Sequence, residues 1–154
     1  MPIEPKQPTA KGPAEWFTGD VYIDPVVRAT SPSRVNVSAV RFTPGARTAW
    51  HAHTVSQSLL VTDGVGLHQP RGGAVEQIRP GDVVVTPADV WHWHGAAADH
   101  YMTHLSITES PGDGRPDAQW GEHVTDQEYA PLTEPHQLLP PHIKHERAKA
   151  HGGP

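Results

Sequence analysis

The chain contains no cysteine. Disulfides and thiolate ligation are therefore excluded, and any bound metal must be held by nitrogen and oxygen donors. It also lacks an apolar stretch long enough to span a membrane, and its first residues, MPIEPKQPTAKGPAEW, have no apolar signal segment. A cytoplasmic protein is the expectation. There is no run of lysine and arginine, and the formal net charge is -5 with neutral histidines. That balance argues against nucleic acid or an anionic membrane as a partner and leaves a small molecule as the expected one. No amphipathic helix is evident in the middle of the chain, and no internal repeat beyond a similarity between two central blocks.

What is present is turn chemistry and histidine. Seventeen prolines and 14 glycines in 154 residues imply many turns around one modest core, in a chain long enough for a single domain. Residues 1–14 read as an extended N-terminal arm, residues 15–129 as the folded domain, and residues 130–154 as a Pro- and His-rich tail. Within the domain, strands are expected over Glu15 to Asp24 and Arg34 to Thr43. The second has a change of apolar phase between Val37 and Val40 that fits a bulge near Ser38-Ala39. Asp63-Gly64 is a hairpin signal between Leu59-Leu60-Val61 and Val65-Gly66-Leu67. Further turns at Pro70 to Gly73 and Arg79 to Asp82 lead to Ala74 to Ile78 and to a buried-looking run, Val83-Val84-Val85. After Ser110 the pattern decays into the polar loop PGDGRPDAQW. Glu122 to Tyr129 can close one helical turn capped by Thr125 or Asp126. Short strands at regular spacing predict an all-β antiparallel sandwich or barrel.

The chemistry concentrates in the two central blocks. GARTAWHAHTVSQSLLVTDG places His51, His53 and Gln57 close together, and strand periodicity turns both histidines to one face. GDVVVTPADVWHWH repeats the pattern with His92 and His94. Trp50, Trp91 and Trp93 fall on the opposite faces, where packing is their expected role. On the strand from His100 to Thr108, Met102, His104 and Ser106 share a face.

Together these blocks resemble the two motifs of the cupin family. Gly45, His51, His53, Gln57 and Gly64 match the first, with Gln57 in place of glutamate. Gly81, Pro87 and His92 match the second, with Asp89 where the motif has glycine and Ala96 where it has asparagine. The resemblance implies a double-stranded β-helix, a jelly-roll barrel, with His51, His53, Gln57 and His92 as ligands of one divalent metal. Three imidazoles and an amide oxygen suit manganese, iron, nickel or zinc. Without an anionic ligand the ion keeps its full charge and is a stronger Lewis acid.

A closer resemblance spans Lys11 to Tyr129. KGPAEWFTG, TPGARTAWHAH, GGAVEQIRPGDVV, WHWHGA, MTHLSITE and EHVTDQEY are similar to segments of small bacterial cupins that include manganese-dependent hydroxynitrile lyases. This implies manganese as the expected ion and reversible cleavage of a cyanohydrin to an aldehyde and hydrogen cyanide. His104 is then the general base with a pKa near neutrality, or an orienting residue beside the ligands. His94 is a second base, a further ligand or a polar wall. Thr48, Val40, Phe42 and Leu59 are the expected substrate-pocket residues, in a homodimer or homotetramer. Competing expectations are a metal-dependent dioxygenase, a cyclase or isomerase, and a non-catalytic small-molecule-binding barrel.

Overall fold

The structure is a computed structural model that describes residues 1–129. The strands are β1 (Ala10–Lys11), β2 (Phe17–Thr18), β3 (Val21–Val27), β4 (Val35–Phe42), β5 (Arg47–Thr48), β6 (His51–His53), β7 (Gln57–Gly64), β8 (Gly66–Pro70), β9 (Glu76–Ile78), β10 (Val83–Thr86), β11 (His92–Ala96), β12 (Met102–Glu109) and β13 (Ala118–Trp120), and a single helical turn, α1 (Asp126–Tyr129), follows. One sheet has six strands in the order β1-β3-β4-β12-β7-β10. The other runs β13-β6-β11-β5-β2, with β8 also paired to β11 and β9 paired to β8. All pairings are antiparallel, and the two curled sheets enclose the core as a cupin-type barrel. Among the described residues no helix is long and apolar enough to cross a membrane.

Alternation decides what enters the barrel. On β7, Gln57, Leu59 and Val61 are buried while Thr62 is exposed, and on β12 Met102 and His104 are buried. Of these, Val61 and Met102 join Phe17, Val21, Val40 and Phe42 in the inner core. Burying such side chains contributes roughly 1.5–3 kcal/mol each relative to exposure.

Several expectations are corrected. The phase change in β4 is no bulge of that strand, which pairs with β12 in unbroken register from Val35 to Phe42. The irregularity lies on the neighbour, between Pro25 and Val27 of β3. Val35 and Val37 face outward, and the inward row passes from Phe42 and Val40 to Ser38 as the barrel interior becomes polar. Asp63-Gly64 closes no hairpin either. β7 pairs with β10 and β12 whereas β8 pairs with β11 and β9, so this turn carries the chain from one sheet to the other. Gly64 has φ 80°, and a Cβ there would run into the Tyr101 backbone, which explains a glycine at this corner.

The valine run is not buried as a unit: Val83 and Val85 are 61% and 64% exposed, and only Val84 packs toward the core. The arm is extended, but its end is part of the fold, since Ala10 and Lys11 pair with Ile23 and Tyr22 and Thr9 bonds Asp24. The loop after Ser110 ends in a strand, β13, beside β6. Thr125 caps the helical turn as expected. Its hydroxyl accepts the Glu128 N–H at 3.1 Å while the Glu128 carboxylate accepts the Thr125 N–H at 3.0 Å. The tail from residue 130, with its expected short helix, lies outside the described residues.

Residues 122–129 cover the outer face of the second sheet. Val124 and Tyr129 pack with Trp50, Leu67 and Trp93 in a cluster separate from the inner core. The Tyr129 hydroxyl donates to the Ala96 carbonyl at 2.6 Å. Arg47, 5% exposed, donates to the Val124 carbonyl and to Asp126 and lies 4.5 Å over the Tyr129 ring.

Candidate metal centre

Two short strands bring the first histidines together. His51 and His53 project inward from β6, and His92 of β11 stands directly opposite His51 in the register. Their ligand atoms all lie within 4.8 Å of one another. Gln57 begins β7 and reaches the same point from the opposite sheet. The turn before β11 is anchored to β6, because Asp89 N–H donates to the His53 carbonyl at 2.9 Å. Asp89, which stands where the cupin motif has glycine, keeps the left-handed backbone at φ 63°. Aspartate tolerates that conformation better than most residues.

The hydrogen bonds assign the tautomers. The Nδ1 atoms of His51 and His92 lie 2.9 Å from the carbonyls of Ala49 and Val90, and a carbonyl only accepts, so each Nδ1 carries the proton. Both Nε2 atoms then present lone pairs. His53 Nε2 is buried without a protein partner. The Gln57 amide donates from Nε2 to Ser106 Oγ at 2.9 Å, which turns its Oε1 toward His92 Nε2 at 3.0 Å. Two acceptors then face each other with no proton between them. A cation resolves that conflict, so the donor set fits a divalent ion of the borderline class.

Electrostatics keep the ligands in the state a metal needs. Burial lowers the pKa of His53 and of His92 from 6.5 to about 4, and that of His51 falls well below 6.5, with neighbouring His92 adding to its burial. Neutral imidazoles are the ligating form.

A second pair stands beside them. His104 Nε2 lies 3.0 Å from His94 Nδ1, so one ring donates to the other. Two neutral imidazoles hold two protons on four nitrogens. With one proton between the rings, the outer nitrogens, His94 Nε2 and His104 Nδ1, offer one N–H and one lone pair. Both are buried and have no protein partner. The expectation of a base with pKa near neutrality is corrected: burial lowers His104 to about 4, and His94 is held well below 6.5 by burial and then by His104.

A cavity of about 300 Å3 opens onto this cluster, with His53, Gln57, His94 and His104 in its wall. Of the expected pocket residues, Thr48 and Val40 line it. Thr48 Oγ1 also accepts the His94 N–H at 3.2 Å, which fixes β11 at this point. Phe42 and Leu59 do not line it. Phe42 is in the inner core with its ring 5.8 Å and 5.4 Å from those of His94 and His104, so it backs the pair, and Leu59 is fully buried. His68 faces His92 with its ring 6.2 Å away, behind the ligand set.

Sequence reasoning missed Trp120. It lies opposite His51 in the β13–β6 register and stacks on that imidazole at 4.5 Å and 18°. Trp16 stacks on Trp120 in turn at 4.9 Å, and both line the cavity. The only signal was an isolated tryptophan closing a polar loop, which does not reveal what it will meet across a sheet.

Fold and histidine cluster together define a barrel of the kind known as cupins, with residues that could hold a metal ion, and the cupin domain pattern matches residues 38–108. The chain belongs to the cupin family. It is 54% identical over 123 residues to an (R)-mandelonitrile lyase of Granulicella tundricola, covering 80% of this chain and 92% of that one. A crystal structure of a cupin-like protein from Thermotoga maritima is 38% identical with TM-score 0.77, covering 88% of this chain and 99% of that one. A cupin-2 domain from Rhodospirillum rubrum, at 20% identity and TM-score 0.62 over 81% of this chain and 80% of its own, shares the fold.

Proposed function

We propose that this cupin is a metal-dependent lyase that cleaves a cyanohydrin reversibly to an aldehyde and hydrogen cyanide, with manganese(II) as its ion. Iron, nickel and zinc suit the same donors. The Nε2 atoms of His51, His53 and His92 and the Oε1 of Gln57 would hold the metal. When bound, it supplies Lewis acidity to the oxygen or the leaving group of the substrate.

The observation that carries this reading is the His94–His104 pair, whose outer nitrogens have no protein partner beside a complete ligand set. The outer lone pair takes the substrate hydroxyl proton as the C–C bond to cyanide breaks. The pair's other outer N–H can protonate the departing cyanide, and a shift of the proton between the rings leaves both neutral, with the roles of the two outer nitrogens exchanged. The hydroxyl electrons become the aldehyde carbonyl, so no oxidant is needed. Burial suits the task, since both rings stay neutral in mildly acidic solution, where free hydrogen cyanide is not ionised. Around them, Ser38, Ser106 and Thr108 offer polar contacts, while Ile23 and Val40 offer apolar ones. Such a wall fits a small molecule with one polar and one apolar end. The 54% identity to a protein named (R)-mandelonitrile lyase supports this choice of substrate class.

The test is benzaldehyde release from mandelonitrile at mildly acidic pH, comparing manganese-loaded protein, the chelated form, and His51→Ala. Release is expected from the loaded protein alone. None from loaded protein would sink the lyase reading and turn attention to oxygenation or isomerisation. His104→Ala should lose at least about a hundredfold in kcat with metal content unchanged, the scale of a lost general base.

A further inference from the structure

We propose that Trp16 is a specificity-determining residue of the metal cavity: its indole forms the outer wall on which the hydrocarbon group of the substrate packs, and it selects a planar aryl group over a small alkyl group. The choice of cyanohydrins as substrates rests on the lyase reading, and the choice of residue rests on ring geometry.

The edge of the second sheet beside the ligands is built from two separate pieces of chain. β2 places Phe17 opposite Thr48, and β13 places Trp120 opposite His51. Between them the Ala49 N–H donates to the Trp16 carbonyl at 2.7 Å, and the Gly121 N–H donates to the Trp50 carbonyl at 2.8 Å. Trp16 and Trp120 therefore stand at the facing ends of a broken edge. Their rings bridge the break, 4.9 Å apart and within 7° of parallel. Trp120 also stacks on His51, so its ring is occupied by protein on both counts. Trp16 has no other ring partner among the described residues and, at 39% exposed, is the most open ring of the column. Its backbone is pinned while its outermost ring is held by stacking.

The cavity runs from His94 and His104, which are 3% and 0% exposed, out to Trp16. A hydroxyl held at the histidine pair leaves the carbon substituent of the substrate to the apolar walls of Phe17, Ile23 and Val40 and to the indole at the open end. An aryl group gains both apolar burial and ring-to-ring attraction there, whereas a methyl group gains a small part of the burial alone. This contact is made away from the reacting atoms, so it is present before the bond to cyanide breaks as well as during the break. Its loss therefore raises KM and changes kcat little.

Steady-state kinetics of the manganese-loaded full chain on mandelonitrile and on lactonitrile, its methyl counterpart, test the role of Trp16. Trp16→Ala should lower the ratio of kcat/KM for mandelonitrile to that for lactonitrile about tenfold, most of it in the KM for mandelonitrile, on the scale of a lost aromatic contact and its buried area. Trp16→Phe should recover most of the ratio. An unchanged ratio, or an equal loss on both substrates, would overturn the proposal. The manganese Kd, read by titration calorimetry, should be the same in Trp16→Ala as in the native chain. A weakened Kd that accounted for the whole loss would make Trp16 a support for Trp120 and His51, and would overturn its contact with substrate. Failure of the lyase reading shows separately, as no cleavage of either nitrile by loaded native protein. Calorimetry with benzyl alcohol and ethanol then reads the wall without turnover: Trp16→Ala should weaken benzyl alcohol about tenfold more than ethanol, and equal effects on the two would overturn the proposal.

Discussion

The two sheets of this barrel are built from the same alternation, yet their outer faces differ. On β11 the outward Trp93 is fully buried, enclosed by Trp50, Leu67, Val124 and Tyr129, and its indole N–H donates to Gln69 at 2.8 Å. On β10 the outward Val83 and Val85 are open. An outward apolar side chain in a strand is therefore neither core nor surface by its own nature. What lies over it decides, and residues 122–129 lie over only one sheet.

That contrast can be broken at several points. The largest effect is expected for Trp93→Ala, which should cost about 3–5 kcal/mol in denaturant unfolding, as for other large buried aromatics. Val85→Ala should change the stability of the monomer by less than about 0.5 kcal/mol. Equal effects would mean that the two faces are covered alike. Metal comes next. Manganese at a hundredfold excess over its Kd should stabilise the native chain by about 2.7 kcal/mol, and His51→Ala should not respond.

The interior between the sheets predicts a pH dependence. His53, His92 and His104 are lowered in the folded state from 6.5 to about 4, so below 6.5 the unfolded chain binds more protons than the folded one. The stability of the metal-free protein should therefore be intact above pH 6.5 and fall progressively toward pH 4. Melts at half-unit steps would check it, and a flat profile would mean that the imidazoles are more hydrated than the structure has them. A smaller effect than that of Trp93→Ala is expected for Tyr129→Phe, about 1 kcal/mol for its hydrogen bond to Ala96, with packing of the ring retained. Trp120→Ala probes the site instead. It should weaken metal binding about tenfold through His51, on the scale of changes to residues that support a ligand.

Much of this protein was legible in the chain. His51 and His53 share a face because strand side chains alternate, and the spacing to Gln57 and His92 is the spacing of a family motif. A helical turn capped by Thr125 or Asp126 was legible because a cap spans only three residues; that Thr125 is the cap, with Glu128 as its partner, came from the structure. The strand β13 was not, because AQW has no pattern of its own and is held by pairing with β6. Val83-Val84-Val85 misled because three valines in a row carry no mark of which face will be covered. The Asp63-Gly64 turn has hairpin chemistry, yet its two flanking strands find better partners in different sheets.

By itself the sequence determined the ligand types, the exclusion of thiolates and disulfides, the all-β class and the local turns, all of which depend on residue identity or on neighbours a few positions away. Tertiary structure alone decided that Trp120 stacks on His51, that His94 and His104 share a proton, and that Gln57 Oε1 faces a lone pair of His92. Each of these relations joins residues on different strands, and the relative positions of strands are set by the whole barrel closing around its core.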